Sequence, residues 1–289
     1  MMKPYRYPPI PDDIKEERRN ITRNAHATRE SGAGAGNGSH VADTNGASQL
    51  PGMTEISDSL RHAFLATLPS ITLDHTRIDP HLVTLCDSDP LSAQPYVKLV
   101  ASLMSLSASR PPKRLLITSA KHGDGRTSVV LNLAGALAKT NLRVLVLDSD
   151  LSRPSMLRLL GVEVVASFPE CLRRGLPLTE GMVRMLPLGF SLLPNRTPVE
   201  NSAEVLRSTL LRKNLAALEE VYDFILFDSP PLLTSPDGQM LRSLVDKCLF
   251  VIRPGLTTPK QMAKALGAFD KDDFVGAILN RSVAPVSDE

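Results

Sequence analysis

Residues 121–128 read KHGDGRTS, set between the apolar run RLLITSA at 114–120 and the helix-patterned stretch SVVLNLAGALAKT at 128–140. An apolar strand that breaks into a glycine-rich turn and then enters a helix directs successive backbone N–H groups inward, and the positive end of the helix dipole adds to them. The turn is therefore a nest for phosphate, with Gly123 and Gly125 supplying the backbone freedom it needs. Thr127 stands where a hydroxyl would ligate magnesium, and the basic residue before it would reach the outer phosphates. Here that residue is Arg126, where such loops usually carry lysine. A planar guanidinium is wider and reaches further than a compact ammonium, so phosphate binding is expected to survive the change better than rapid phosphoryl transfer.

Strand patterns continue on both sides of this unit. After Arg114–Ser119 come Arg143–Asp148, Phe190–Pro194, Asp223–Asp228, Lys247–Ile252 and Val275–Asn280. Several are apolar on both faces, which suits strands covered on both sides. The stretches between them, among them AEVLRSTLLRKNLAALEEV and TPKQMAKALGAF, have helical periodicity. The spacing predicts an α/β fold with a mainly parallel sheet and helices on both faces. Ligands gather at the carboxyl ends of strands in such sheets, and two of these ends carry carboxylates. VLVLDSDLSRP supplies Asp148 and Asp150, and FILFDSPP supplies Asp228. One such carboxylate can hold magnesium directly or through water, and another can orient an attacking hydroxyl or water. Each aspartate alone reads as a turn former or helix cap; three downstream of one glycine loop make a specific combination.

Composition bounds the rest. Lys and Arg total 33 against 31 for Asp and Glu, a formal balance of +2 that gives no electrostatic reason to expect nucleic acid as a partner. Cys86, Cys171 and Cys248 are far apart, which argues against a disulfide framework or zinc site and fits a reducing cytoplasm. The opening MMKPYRYPPIPDD lacks the apolar core of a signal peptide, and no apolar run approaches the roughly 18 residues of a membrane span. Residues 31–52 are mostly Gly, Ala, Ser and Asn and read as a linker. The expected division is a mostly disordered tail and linker over 1–75 and one domain over 76–289. His62, His75 and His81 fall outside any motif and read as surface or packing residues, while His122 reads as loop-shaping. Arg173 and Arg174 read as the solvated end of a helix.

Across roughly Pro80 to Asn280, the order and spacing of HGDGRTS, LDSDLSRP, FDSPP and AILN resemble the bacterial tyrosine kinases that govern capsule and exopolysaccharide export. Those kinases carry PGEGKS, VDADLRRP, IDTPP and VLN-like motifs in that order, and are relatives of septum-positioning and plasmid-partition ATPases. The resemblance implies a P-loop NTPase fold that uses ATP and Mg2+. It assigns Lys121, Gly123, Asp124, Gly125, Arg126, Thr127 and Ser128 to the phosphates and Asn280 to the neighbourhood of the base. It assigns Asp148, Asp150 and Arg126 to catalysis, and Thr127, Asp148 and Asp228 to the metal. It also implies a membrane polysaccharide co-polymerase or adaptor as partner, which would recruit a cytoplasmic protein to the inner face of the membrane.

The departures from the pattern are specific. Ser152 replaces the first arginine of the second motif. Gln94, Val97 and Val100 in QPYVKLV replace a glutamate and two arginines that join family members into a ring, so a homo-oligomer would lack that contact. No tyrosine occurs in the final LNRSVAPVSDE, where the autokinases carry a tyrosine-rich tail. The Pro230–Pro231 pair favours the kinase branch, and Lys121 stands where the positioning ATPases carry a signature lysine. Three readings follow: a tyrosine kinase, a catalytically inactive regulatory pseudokinase, and a positioning ATPase.

Overall fold

Strand β2 (Arg114–Ser119) is buried at every position but its first, and only the middle of a sheet covered on both faces offers that environment. The computed structural model describes residues 57–86, 90–105, 112–267 and 269–281, and it places β2 inside an eight-stranded sheet. The other strands are β1 (Ser70–Thr72), β3 (Val144–Asp148), β4 (Val183–Leu186), β5 (Phe190–Leu193), β6 (Phe224–Asp228), β7 (Lys247–Ile252) and β8 (Phe274–Leu279). Their spatial order is β1-β4-β5-β3-β6-β2-β7-β8, and every neighbouring pair is parallel except β4 with β5.

Side chains alternate between two apolar layers, as the period of a strand requires. Leu115 and Ile117 of β2, with Val144 and Val146 of β3, join one layer; Leu116, Leu145 and Leu147 join the other. Helices α2 (Pro90–Ser105) and α3 (Arg126–Ala138) cover the first layer through Val100, Leu103, Val130, Leu133 and Leu137. Helix α7 (Thr209–Leu218) covers the second with Leu211, Leu215 and Leu218, which repeat at helical spacing. The expected fold class, with helices on both faces of a mostly parallel sheet, is the observed one.

The expected six strands all form, but β1 and β4 were not anticipated. Both are short: β1 (SIT) is exposed or half-buried along its length, and β4 (VRML) buries only Val183 and Met185. The helical pattern over 203–221 is two helices, α6 (Ser202–Arg207) and α7, separated at Ser208. The Ser208 side chain accepts from the Leu211 N–H at 3.3 Å and so starts the second helix.

The domain boundary expected at 76 also moves. The compact unit begins at Asp58, because α1 (Asp58–Thr67) buries Leu65, Leu68 follows it into the same layer, and β1 pairs with β4. Residues 1–56, which hold the predicted tail and linker, lie outside the described residues. Arg173, in the last turn of α5 (Phe168–Arg173), and Arg174 are exposed as expected.

At the far edge, β8 pairs with β7 through a bulge: Cys248 faces Phe274 but Leu249 faces Gly276, leaving Val275 as the extra residue. Leu279 at its end is 61% exposed.

A chain begun at Thr76 is expected to be less stable than one begun at Asp58 by about 3 kcal/mol or more, since it loses the buried side chains of Leu65, Leu68 and Leu73. Urea unfolding of the two chains measures this, and equal midpoints would show that residues 58–75 contribute nothing.

Candidate functional site

The glycine loop joins β2 to α3. Gly123 and Gly125 both sit in the left-handed region, at φ 90° and 91°. A Cβ on Gly125 would lie 2.1 Å from Asn280 Nδ2, so this position needs glycine for space as well as conformation. Between them Asp124 is fully buried. Its Oδ2 accepts from the Lys121 N–H at 3.1 Å, and its Oδ1 accepts from the Arg253 N–H at 3.2 Å and from Thr257 Oγ1 at 2.8 Å. Asn280 Nδ2 donates to the Asp124 carbonyl at 2.8 Å. The structure thus commits the Asp124 carboxylate and the Asn280 amide, both expected to face a nucleotide, to bracing the loop.

Arg126 opens α3 and is 6% exposed. Its Nε donates to the Ser229 carbonyl at 2.7 Å, and its Nη1 donates to Ser119 Oγ at 2.6 Å and to the Lys121 carbonyl at 2.8 Å. Nη2 lies 3.6 Å from Asp150 Oδ2. A guanidinium has five N–H donors in a rigid fork, so engaging three groups of the protein fixes its plane as well as its position. The side chain fastens the loop to the turn after β6, and its long reach serves that span.

β3 and β6 are neighbours in register, with Asp148 opposite Asp228, and this pairing sets two carboxylates side by side at the carboxyl ends of the strands. Both are buried. Asp228 Oδ2 accepts from Thr127 Oγ1 at 2.6 Å, and Ser155 Oγ lies 3.3 Å from the same hydroxyl. Among the described residues, Asp228 Oδ1 and both oxygens of Asp148 have no hydrogen-bond partner. The N–H groups of Met156 and Asp150 face Asp148 without closing a bond of ordinary geometry. Burial pushes the Asp148 carboxyl well above the usual range, and the charges of Asp228 and Asp150 push it further. Burial also raises Asp228, to about 7, while Arg126 and the Thr127 hydroxyl pull it back.

Buried carboxylate oxygens without donors require a cation or a proton. The described residues contain no cluster of three or more carboxylate, imidazole or thiolate groups that would cage a metal. One hydroxyl and carboxylate oxygens beside an open cleft instead suit magnesium, which keeps water and phosphate among its ligands. Thr127, Asp148 and Asp228 therefore fit the ion that the sequence assigned to them. Asp150 is held apart: its Oδ1 accepts from Ser152 Oγ at 3.0 Å and from the Arg153 N–H at 3.2 Å.

These elements border a cleft of about 390 Å³, lined by Gly123, Gly125, Arg126, Thr127, Ser128 and Asp150. Its remaining wall was not read from the sequence: Arg153, Ser155, Arg158, Arg253, Arg281 and the pair Asp79 and His81. His81, expected to be a surface or packing residue, lines the cleft; its carbonyl accepts from Asn132 Nδ2 at 2.8 Å and its Nδ1 lies 2.9 Å from Asp79 Oδ1. His62 and His75 are exposed as expected. His122 also lines the cleft, where burial and the charges of Arg126 and Arg153 hold its imidazole below the usual range. The signal that would have found Arg153 and Arg253 is their place just beyond the ends of β3 and β7, where open sheets bind ligands.

Because Asp148 and Asp228 hold protons that the unfolded chain would release near pH 4, stability without magnesium is expected to fall as pH rises from about 4 through 7. Asp148→Asn should flatten this slope and raise magnesium-free stability at pH 8 by about 1–3 kcal/mol, while removing stabilisation by added magnesium. Thermal melting across pH, with and without magnesium, checks both. A variant that melts below the parent at pH 8 would show that Asp148 is already paired.

Comparisons with known proteins agree with this geometry. The family model described as ParA, NUBPL iron-transfer P-loop NTPase, matches residues 111–274, more than half of the chain. Tyrosine-protein kinase YwqD of Bacillus subtilis (strain 168) is 27% identical over 207 residues, covering 71% of this chain and 87% of the relative. Putative tyrosine-protein kinase AmsA of Erwinia amylovora is 30% identical over 211 residues, which cover 72% of this chain but only 29% of AmsA. Among solved structures, the BceF tyrosine kinase domain superposes with a TM-score of 0.60 at 26% identity, covering 78% of this chain and 97% of that domain. The matched region contains the glycine loop, both aspartate motifs, strands β2 to β7 and the first residue of β8. The chain belongs to the ParA family of P-loop NTPases, and its homologues include bacterial tyrosine-protein kinases.

Proposed function

We propose that the chain binds ATP with magnesium in this cleft and acts in the cytoplasm as a kinase-type regulator of capsular or exopolysaccharide biosynthesis and export. The observation that carries the reading is the set of three unpartnered carboxylate oxygens, on Asp148 and Asp228, beside the Thr127 hydroxyl at the mouth of the glycine loop. Loop N–H groups would hold the phosphates. Thr127, Asp148 and Asp228 would hold magnesium, which when bound neutralises charge on the outer phosphates. Asp150, fixed by Ser152 and the Arg153 N–H, would orient the attacking hydroxyl or water.

The Arg126 contacts favour a regulatory form of this function in which transfer is slow. Phosphoryl transfer depends on charge placed accurately at the transition state, and Arg126 is engaged with Ser229, Ser119 and Lys121. Among possible acceptors in the chain itself, Tyr222 is 2% exposed and donates to Ser191 Oγ at 2.8 Å, which withdraws it from solvent. A membrane polysaccharide co-polymerase or adaptor is the proposed partner. Among the described residues, no helix is long and apolar enough to cross a membrane. On α2, Gln94 and Val97 are exposed while Val100 is buried, so self-assembly would not use a ring of charged contacts on this helix.

The test uses the full chain with labelled ATP, magnesium and an added tyrosine acceptor. Magnesium-dependent ATP binding with slow phosphate release is expected; absence of ATP binding would refute the reading. Arg126→Lys, which lacks the N–H given to Ser229, should lose about 1–2 kcal/mol of stability yet release phosphate faster than the parent.

A further inference from the structure

The withdrawal of Arg126 into the protein leaves open which side chains meet the outer phosphates, and the same cleft contains others that can. Arg153 follows β3 and Arg253 follows β7. In the sheet, β3 lies on one side of β2, beyond β6, and β7 lies on the other, so the two residues flank the glycine loop. Both line the cleft with Gly123, Gly125 and Thr127.

Their backbones are fixed by the groups that shape the site. The Arg153 N–H donates to Asp150 Oδ1 at 3.2 Å, and the Arg253 N–H donates to Asp124 Oδ1 at 3.2 Å. Arg253 Nη1 reaches the Gly123 carbonyl at 3.4 Å, a long contact that places its guanidinium at the loop rim with its other donors unused among the described residues. The two carboxylates that line this cleft are engaged elsewhere, Asp79 with His81 and Asp150 with Arg126. Neither Arg153 nor Arg253 closes an ion pair among the described residues. Two further arginines, Arg158 and Arg281, line the same space. Arginines that outnumber the carboxylates of a concave site raise the local potential and select an anion. A guanidinium fork also matches phosphate oxygens in pairs.

The geometry points to Arg153 and Arg253 as the positioning residues that hold the outer phosphates of the nucleotide, the role a loop lysine would fill, with Arg126 acting as a brace. This assignment rests on the nucleotide reading of the cleft. It makes triphosphate selectivity a property of two side chains on either side of the loop.

Calorimetric titration of the full chain with ATP and with ADP, each with magnesium, tests it in the parent, Arg153→Gln, Arg253→Gln and the double variant. The parent should prefer ATP, and each single variant should weaken ATP binding by about ten- to a hundredfold while changing ADP binding little. In the double variant the preference for ATP should disappear. Arg153 is exposed, so its variant is expected to retain the parent melting temperature, which separates lost binding from lost folding. An unchanged ATP-to-ADP ratio in the double variant would overturn the assignment, leaving both arginines as solvated cations. So would loss of the preference in Arg126→Met alone, because Arg126 would then be the residue that reaches the phosphates. Failure of the parent to bind either nucleotide would instead overturn the underlying nucleotide reading, and the assignment with it.

Discussion

The buried carboxylate of Asp124 organises the site. It draws the N–H of Lys121 from the start of the loop, and the N–H of Arg253 and hydroxyl of Thr257 from the segment after β7. Its carbonyl holds Asn280 from the end of β8. Three strand ends thus converge on one residue between two left-handed glycines. Burying a carboxylate costs least when its lone pairs are met by donors, and here two of the donors come from a segment more than a hundred positions away. The loop is therefore preorganised by the protein, and the cost of shaping it is met during folding.

On the other side of the loop, the Arg126 guanidinium performs a comparable task. It joins the turn after β6 to the start of α3, next to the Thr127 hydroxyl that reaches Asp228. The Arg126 charge lines the cleft, and the Asp228 carboxylate lies behind the Thr127 hydroxyl in its wall. The arrangement separates two requirements of phosphate chemistry: a shaped anion nest near the loop and a cation site at the ends of β3 and β6.

The sequence showed the central sheet because its six apolar strands need no partner to be recognised; burial on both faces leaves a continuous hydrophobic run. β1 and β4 escaped because three or four residues cannot establish a period, and β1 is largely exposed. The break at Ser208 was hidden because both helices share an apolar pattern, while the cap depends on one hydroxyl. For the site, the glycine loop and three aspartates were legible from spacing. The direction of Arg126 was not, since it depends on a carbonyl 103 positions away. Arg153 and Arg253 are marked only by their places beyond the ends of β3 and β7, and the strand order is what shows that they flank the loop.

The bulge between β7 and β8 has a consequence at the loop. Val275 is the surplus residue, and beyond it Ile252 stands opposite Leu279, with the Asn280 N–H donating to the Ile252 carbonyl at 2.8 Å. Along a strand, a shift of one residue turns every side chain to the opposite face. Were Val275 paired with Leu249 instead, Ile252 would stand opposite Ile278, the position beside Gly125 would fall to Leu279, and the amide that supports the Asp124 carbonyl would point away from it. The irregularity at Cys248 and Leu249 works as a ruler: one inserted residue at the near end of the ladder measures out where Asn280 arrives at the far end.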